Sequence, residues 1–423
     1  MKARKALAPL LSCTLAAAAL PAHGAGEARP FPQHTVYTAG TIKPKAQNQA
    51  ALDRAVRDFY RVWKAAYLRS TGEGERYVFC NAENIFEPKS TRSVSEGHGY
   101  GMLAAVLMAG ADPEARADFD GLFRFYRAHP SEANPALMAW RQVAKGSAIV
   151  TRKSDRDSAT DGDLDIACAL LMADLQWGGG GPIAYRKEAQ KLLVAIQAAE
   201  TDSRRHTLTL GSWVDTQSPQ WGGLRPSDFM PAHWKTFAAA AAAPESGEWT
   251  RRTDATYRVL GEVQAAFSPR TGLQPDFVAW EAGAYRPAPA GFLEGPNDGA
   301  YGYNACRVPW RLGTDYLLTG DPRARALLAP LNAWVVQATG GDPGKLNAGY
   351  RLDGAPLQPD SSAAFVGPLA VAAMADPARQ AWLDALWADL LARAPGGEDY
   401  YGNSVKLLTM IVLSGNWWQP LPP

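Results

Sequence analysis

Cysteine is scarce in this chain, with four among 423 residues and no CxxC pair. A chain this long can bury a large core, so it needs no disulfide framework. The six histidines form neither an HExxH motif nor an i, i+4 pair, which leaves no metal-ligand pattern. No metal or other cofactor is expected. An excess of charge is also missing: 43 Lys and Arg face 42 Asp and Glu, a formal net charge of +1. That balance gives no electrostatic footprint for nucleic acid or for a polybasic membrane contact. Beyond the N-terminus no apolar run is long enough to span a bilayer. Strand-like alternation is rare and short, as in RHTLTLGSWV at 205–214, so a predominantly β fold is excluded.

The N-terminus reads MKARKALAPLLSCTLAAAALPAHGAG. Lys2, Arg4 and Lys5 precede a short apolar run, and Ala22 and Gly24 offer small residues for cleavage. This is the pattern of a secretory signal peptide over residues 1–24. LLSC around Cys13 faintly resembles a lipoprotein site, but the apolar run continues past it. Export to the periplasm or medium is expected, with residues 25–423 forming a single, monomeric domain. The mature chain then carries Cys80, Cys168 and Cys306, read as small buried thiols, with one disulfide among the three left open.

What the chain has in quantity is aromatic residues and helical periodicity. Fourteen Trp, fifteen Tyr and thirteen Phe can fill a core or stack on the flat faces of sugar rings. Leu52, Val56, Phe59, Trp63 and Tyr67 mark one apolar stripe at steps of three and four. Similar segments lie near 51–69, 97–110, 113–129, 162–177, 182–200, 227–242, 249–267, 303–319, 321–338, 360–375, 377–394 and 402–414. Pro226–Ser227–Asp228, Asp321–Pro322 and Asp376–Pro377 supply helix-start chemistry. About twelve helices without a Pro/Ser-rich linker predict one all-α domain, an inner ring of helices wrapped by an outer one. No motif repeats at a fixed period, which argues against a solenoid. The gaps at 130–160, 201–226 and 268–302 are too long to be simple turns and are expected to carry function.

Two stretches concentrate chemistry. SEGHGYGM at 95–102 sets Glu96 among three glycines ahead of an apolar run. Glycine there implies that something approaches the backbone closely, and Gly97 and Gly99 are read as leaving room for a sugar ring. ATDGDLDIACALLMADLQW at 159–177 crowds Asp161, Asp163 and Asp165 into one helical turn. Acidic residues complement a helix N-terminus, but three in five residues repel one another and exceed what capping needs. A calcium loop counted from Asp157 fails, because its twelfth position is Cys168 rather than a bidentate Glu.

These stretches resemble glycoside hydrolase family 8. Ala159 to Trp177 is similar to the family's signature position for position, and SEGHGYGM looks like its acid-bearing segment. LMAW at 137–140, PSDFMP at 226–231 and YNACRVPWRLGTDYL at 303–317 fit in the same order. The resemblance implies an (α/α)6 barrel and inverting hydrolysis of β-1,4-linked polysaccharide: cellulose, mixed-linkage glucan, xylan or chitosan. It makes Glu96 the general acid and Asp161 the residue that binds and distorts the sugar at the cleavage point. Asp163 and Asp165 are left as structural. Many members carry their base as Asp just before an Ala-x-Arg, where this chain has Asn304, an amide that cannot accept a proton usefully. In a branch with Asn there, a loop glutamate ten residues earlier serves, which is Glu294; Asp298 in the same loop is the alternative base.

Trp140, Trp213, Tyr303, Arg307, Tyr400 and Tyr401 align with segments lining the family's cleft and are expected to bind substrate together with Asn304. Trp417 and Trp418 are read as packing. The favoured activity is a secreted endo-β-1,4-glucanase, with a chitosanase or lichenase as the alternative. A sugar-binding protein without catalysis and a terpene-cyclase-like enzyme remain as other classes. The first is opposed by Glu96, Asp161 and Glu294 standing together, the second by export and by the complete signature.

Overall fold

A computed structural model describes residues 26–72, 74–80, 90–242 and 244–421. The expected leader at 1–24 lies outside them. The described residues hold twelve α-helices. They are α1 (Gln49–Tyr67), α2 (Ser95–Leu107), α3 (Ala115–Ala128), α4 (Thr160–Trp177), α5 (Tyr185–Ala199) and α6 (Pro231–Ala240). The second half adds α7 (Glu245–Phe267), α8 (Val308–Thr319), α9 (Pro322–Thr339), α10 (Ala363–Ala373), α11 (Gln380–Ala392) and α12 (Tyr400–Leu413).

Each helix falls on a segment marked by apolar spacing. α6, α8 and α11 start later than expected because a short 3-10 turn takes the first residues, at Pro226–Asp228, Ala305–Arg307 and Pro377–Arg379, whereas α7 starts earlier, at Glu245 instead of 249. The Asp321 and Asp376 side chains accept from the N–H groups of Arg323 and Ala378, as their place before proline suggests.

The even-numbered helices pack side by side in a closed ring, α2–α4–α6–α8–α10–α12 and back to α2. Each odd-numbered helix covers an inner one: α3 on α2, α5 on α4, α7 on α6, α9 on α8, α11 on α10, and α1 on α12. This is an (α/α)6 barrel. The two rings differ in sequence for a physical reason. On α1 the stripe Leu52, Val56, Phe59, Trp63 and Tyr67 is buried while Arg54, Arg57 and Arg61 stay in water or at its edge. On α2, α10 and α12 nearly every residue is buried, because an inner helix has neighbours on all sides.

The glycines after Glu96 serve this packing. A Cβ on Gly97 would stand 2.9 Å from the Tyr400 ring, and one on Gly99 would stand 2.7 Å from the Asp165 Cβ. Gly162 answers from α4, where a Cβ would lie 2.6 Å from Ser95 Oγ. The space expected for a sugar is thus filled by neighbouring helices. Glycine here lets α2 and α4 approach, which corrects the sequence reading.

All six inner helices begin at the same end of the barrel. Their far, C-terminal ends carry carbonyls without intrahelical partners. An extended arm, residues 26–48, crosses that end and donates to them. Ala28 N–H bonds to Gln176 O at the end of α4, Phe31 to Ala109 O after α2, and Thr35 to Gly415 O after α12. Thr38 bonds to Leu317 O on α8 and Ile42 to Met374 O after α10. Asn416 locks the crossing, accepting from Gln33 and His34 N–H through Oδ1 and donating through Nδ2 to Asp53.

The small sheets sit among the loops. Thr91–Val94 pairs antiparallel with Arg141–Lys145, which pairs with Ala148–Val150. Within 205–214 only Thr207–Leu208 is strand. Cys80, Cys168 and Cys306 are buried, and Cys168 and Cys306 are free thiols, so no disulfide forms among the three. Among the described residues no helix is long and apolar enough to cross a membrane.

Asn416→Ala removes the acceptor for two arm N–H groups and the donor to the buried Asp53 carboxylate. It should cost about 2–3 kcal/mol of stability, measured by denaturant unfolding, through unsatisfied buried groups.

Candidate active site

The N-terminal ends of the inner helices surround a cleft of about 180 Å³. Glu96 opens α2, Asp161 opens α4, and Tyr400 and Tyr401 open α12. Trp140 reaches the cleft because Thr91–Val94 runs straight into α2: Ser95 N–H bonds to Trp140 O at 2.9 Å. Arg225, ahead of the 226–228 turn, and Glu294, Tyr303 and Asn304 from the long connection after α7 complete the wall. All three long gaps thus deliver side chains to the wall: Trp140, Arg225 and Glu294.

Arg307 lies beneath the floor, 1% exposed. Its Nη1 donates to Glu96 Oε2 at 2.7 Å, to Asp161 Oδ2 at 2.9 Å and to Tyr100 Oη at 3.1 Å. Its Nη2 donates to Ser227 Oγ at 2.9 Å and to Asn304 Oδ1 at 3.2 Å. Asn304 then turns its amide to Glu294, donating from Nδ2 to Oε2 at 2.7 Å. Arg225 holds the other Glu294 oxygen at 3.3 Å and stands 3.9 Å from Asp161 and 3.6 Å from Asp228. A continuous chain of polar contacts therefore runs from Glu96 through Arg307 and Asn304 to Glu294.

The two glutamates have different surroundings. The Glu96 side chain is 18% exposed and that of Glu294 47%. Burial pushes the Glu96 carboxyl up to about 7; Arg307 opposes the shift, Asp161 adds to it, and the Tyr400 hydroxyl bonded to Oε1 at 2.9 Å opposes it. Asp161 goes the other way. Burial would raise it, but Arg307 and Arg225 outweigh burial and hold it below the usual carboxylate range. The Gly162 N–H adds a bond to its Oδ1 at 2.9 Å. The cleft thus offers one carboxylic acid that keeps its proton near neutrality, one fixed negative charge beside it, and one carboxylate open to water.

Two further aspartates hold the loops in place. Asp298 is 3% exposed and accepts from the N–H groups of Leu293, Glu294 and Gly295, fixing the turn that presents Glu294. Its carboxylate is occupied by that turn and is absent from the cleft wall. Asp276 does the same for Asn304, accepting from Gly302, Asn304 and Ala305 N–H. Gly302 permits this, since a Cβ would collide with the Asp276 carboxylate.

Of the residues expected to bind substrate, Trp140, Tyr303, Asn304, Tyr400 and Tyr401 line the cleft. Trp213 does not. It packs, partly buried, on a satellite core of Leu210, Val214, Phe277, Ala279 and Ala288. Arg225, Ser227 and Tyr100 were missed as site residues, although each lies inside or beside a motif already marked. Asp165 is bound bidentately by Arg311 and also by His233, a wholly buried network between α4, α8 and α6. Trp417 and Trp418 are packing residues, each 1% exposed.

A helical double barrel with several carboxyl groups around an aromatic cleft is an arrangement suited to a glycoside hydrolase. The chain belongs to glycosyl hydrolases family 8, whose sequence profile matches residues 30–415. A beta-glucanase of Niallia circulans is 43% identical over 411 residues, covering 97% of this chain and 96% of that protein. An endoglucanase of Bacillus sp. (strain KSM-330) is 37% identical, covering 94% of this chain and 83% of that one. Among solved structures, the apo beta-1,3-1,4-glucanase from Paenibacillus sp.X4 superposes with a TM-score of 0.87 at 43% identity, over 93% of this chain and all of that one.

The Glu96 environment makes two predictions of opposite sign. Tyr400→Phe removes a donor that favours the carboxylate, so the Glu96 pKa should rise above about 7. Asp161→Asn removes a neighbouring negative charge, so it should fall. Carboxyl-carbon NMR titration of glutamate-labelled protein reads both.

Proposed function

We propose that this protein is an exported endo-β-glucanase that hydrolyses internal β-1,4 links of a neutral glucan with inversion. The observation that carries the reading is the contrast between Glu96 and Glu294 at either end of one polar chain across the cleft. Inversion needs a protonated carboxyl against the leaving oxygen and a carboxylate that activates water on the opposite face of the ring. Glu96, held up to about 7 by burial, is the acid. Glu294 is the base, its oxygens aimed by Asn304 and Arg225, and the attacking water sits between it and the sugar. Asp161, kept ionised by Arg307 and Arg225, binds the ring and stabilises positive charge as it develops at the anomeric carbon. The commitment of Asp298 to three backbone N–H groups favours Glu294 over it as base.

Charge favours a neutral substrate over chitosan. Arg225 stands in the wall and Arg307 beneath the floor, so Asp161 and Glu294 already have cationic partners. An amino sugar would compete with them and bring its ammonium beside Arg225. Mixed-linkage glucan is the second reading, favoured by the 43% identity to the beta-1,3-1,4-glucanase from Paenibacillus sp.X4. Trp140, Tyr303, Tyr400 and Tyr401 supply the ring faces on which glucosyl units stack. The basic, then apolar, then small-residue order of residues 1–24 supports export.

Glu96→Gln should lower kcat by about 10²–10⁴ while oligosaccharide binding persists, the range for losing a general acid. Because burial lifts the folded Glu96 pKa from its ordinary 4.5 to about 7, ionisation costs stability as pH rises through about 7. The Tm of Glu96→Gln at pH 8 should therefore exceed the parent's. Glu294→Ala should lose turnover and regain part of it with azide, giving the inverted glycosyl azide. Dead Asp298→Ala beside a working Glu294→Ala would reverse the assignment. Hydrolysis of carboxymethylcellulose, barley glucan and chitosan, compared by NMR of the products, tests substrate and anomeric outcome together.

A further inference from the structure

Behind the cleft lies a pair of acids that the mechanism above does not use. Asp163, in the first turn of α4, and Glu200, immediately after α5, are both wholly buried at 0% exposure. Each has one oxygen engaged: Met138 N–H donates to Asp163 Oδ1 at 3.0 Å, and Ser158 Oγ donates to Glu200 Oε1 at 2.5 Å. The remaining oxygens, Asp163 Oδ2 and Glu200 Oε2, find no other donor among the described residues, and the two side chains meet each other. Two carboxylates in contact without a cation would repel strongly in a dry interior. One proton between them turns the same contact into a charge-assisted hydrogen bond and satisfies both orphan oxygens.

We propose that Asp163 and Glu200 are positioning residues: they share a single proton, and that bond fixes the segments carrying Asp161 and Trp140 against each other. The connections run through named bonds. Asp163 holds Met138, two residues before Trp140, and Trp140 N–H bonds to Asp157 O at 2.8 Å. Glu200 holds Ser158, whose N–H bonds to Ser212 Oγ at 3.0 Å, and Glu200 O accepts from Thr209 N–H at 2.9 Å. Ala159, which lines the cleft, and Asp161 follow directly on this anchored stretch.

The ionisable groups facing the pair do not relieve it. Asp161 raises both members, Asp228 raises Glu200, and the Tyr126 phenol beside Asp163 is itself pushed up. Burial carries Glu200 up to about 8 and Asp163 well above its ordinary value. With both folded pKa values above the unfolded ones, the stability linked to the pair's protons is complete at low pH and falls as pH rises towards about 8, where Glu200 ionises and Asp163 keeps the proton that they share.

Amide variants test this, because one amide N–H can replace the proton permanently. Asp163→Asn keeps Oδ1 for Met138 and turns Nδ2 to Glu200; Glu200→Gln does the converse. Each single variant should lose the decline in Tm between pH 6 and pH 9 shown by the parent. Each should keep kcat at pH 6 within about two-fold on the glucan the parent hydrolyses, since the geometry is retained. Asp163→Ala removes the bond. It should have a lower Tm at pH 6 and lose about a hundred-fold in kcat through misplaced site residues. The proposal is overturned if the single amides track the parent's Tm across that range, or if Asp163→Ala keeps the parent's kcat. The Tm readout stands whatever the substrate proves to be.

Discussion

One buried guanidinium organises the site. Arg307 is shut away from water and holds Glu96, Asp161, Tyr100, Ser227 and Asn304 at once. Desolvating that cation is costly, so the structure tolerates it only with a full set of acceptors in place. The requirement works in both directions. Asp161 gains a partner that keeps it charged, while Glu96 is denied enough positive potential to ionise early. A planar fork with fixed N–H directions also aligns carboxylates from α2 and α4 with the turn that precedes α8, which an ammonium could not do. Difference in protonation between neighbouring acids is thus built from one shared cation and unequal burial.

The barrel gives that cation somewhere to stand. Because inner helices alternate with outer ones running back, all six inner N-termini meet at one end. Positive ends of six helix dipoles converge where the negative side chains lie. The 3-10 turns at 226–228 and 305–307 bring Ser227 and Arg307 inward just before α6 and α8 begin. Buried aspartates then stiffen the loops above. Asp298 and Asp276 spend their carboxylates on backbone N–H groups, so Glu294 and Asn304 are held by the turns beneath them as well as by their own contacts.

How much of this was legible in the chain follows from the range of each interaction. Helices repeat locally, and stripes such as Leu52 to Tyr67 announced the outer ring without any knowledge of partners. The acidic turn at 161–165 and the glycine-flanked Glu96 were visible for the same reason. Pairings were not. Arg307 meets Glu96 across 211 positions and Asp161 across 146, and no spacing encodes such a meeting. Arg225 was overlooked because it precedes its motif by one residue. Gly97 and Gly99 were seen but misread, since a missing Cβ signals close approach without saying what approaches. Trp213 shows the same limit for aromatics: composition marks a ring as large and apolar, while only packing decides whether it faces a sugar or a satellite core.

The extended arm has a consequence for how the molecule comes into being. Residues 28–42 leave the ribosome ahead of every helix, yet their docking sites include Leu317, Met374 and Gly415. Such contacts span nearly the whole polypeptide, and closing loops of that length comes late and slowly. The sites after α2 and on α4 are available early, but the arm's full set of bonds forms only once the final helix has been synthesised. Sealing of that end of the ring therefore belongs to the last stage of folding.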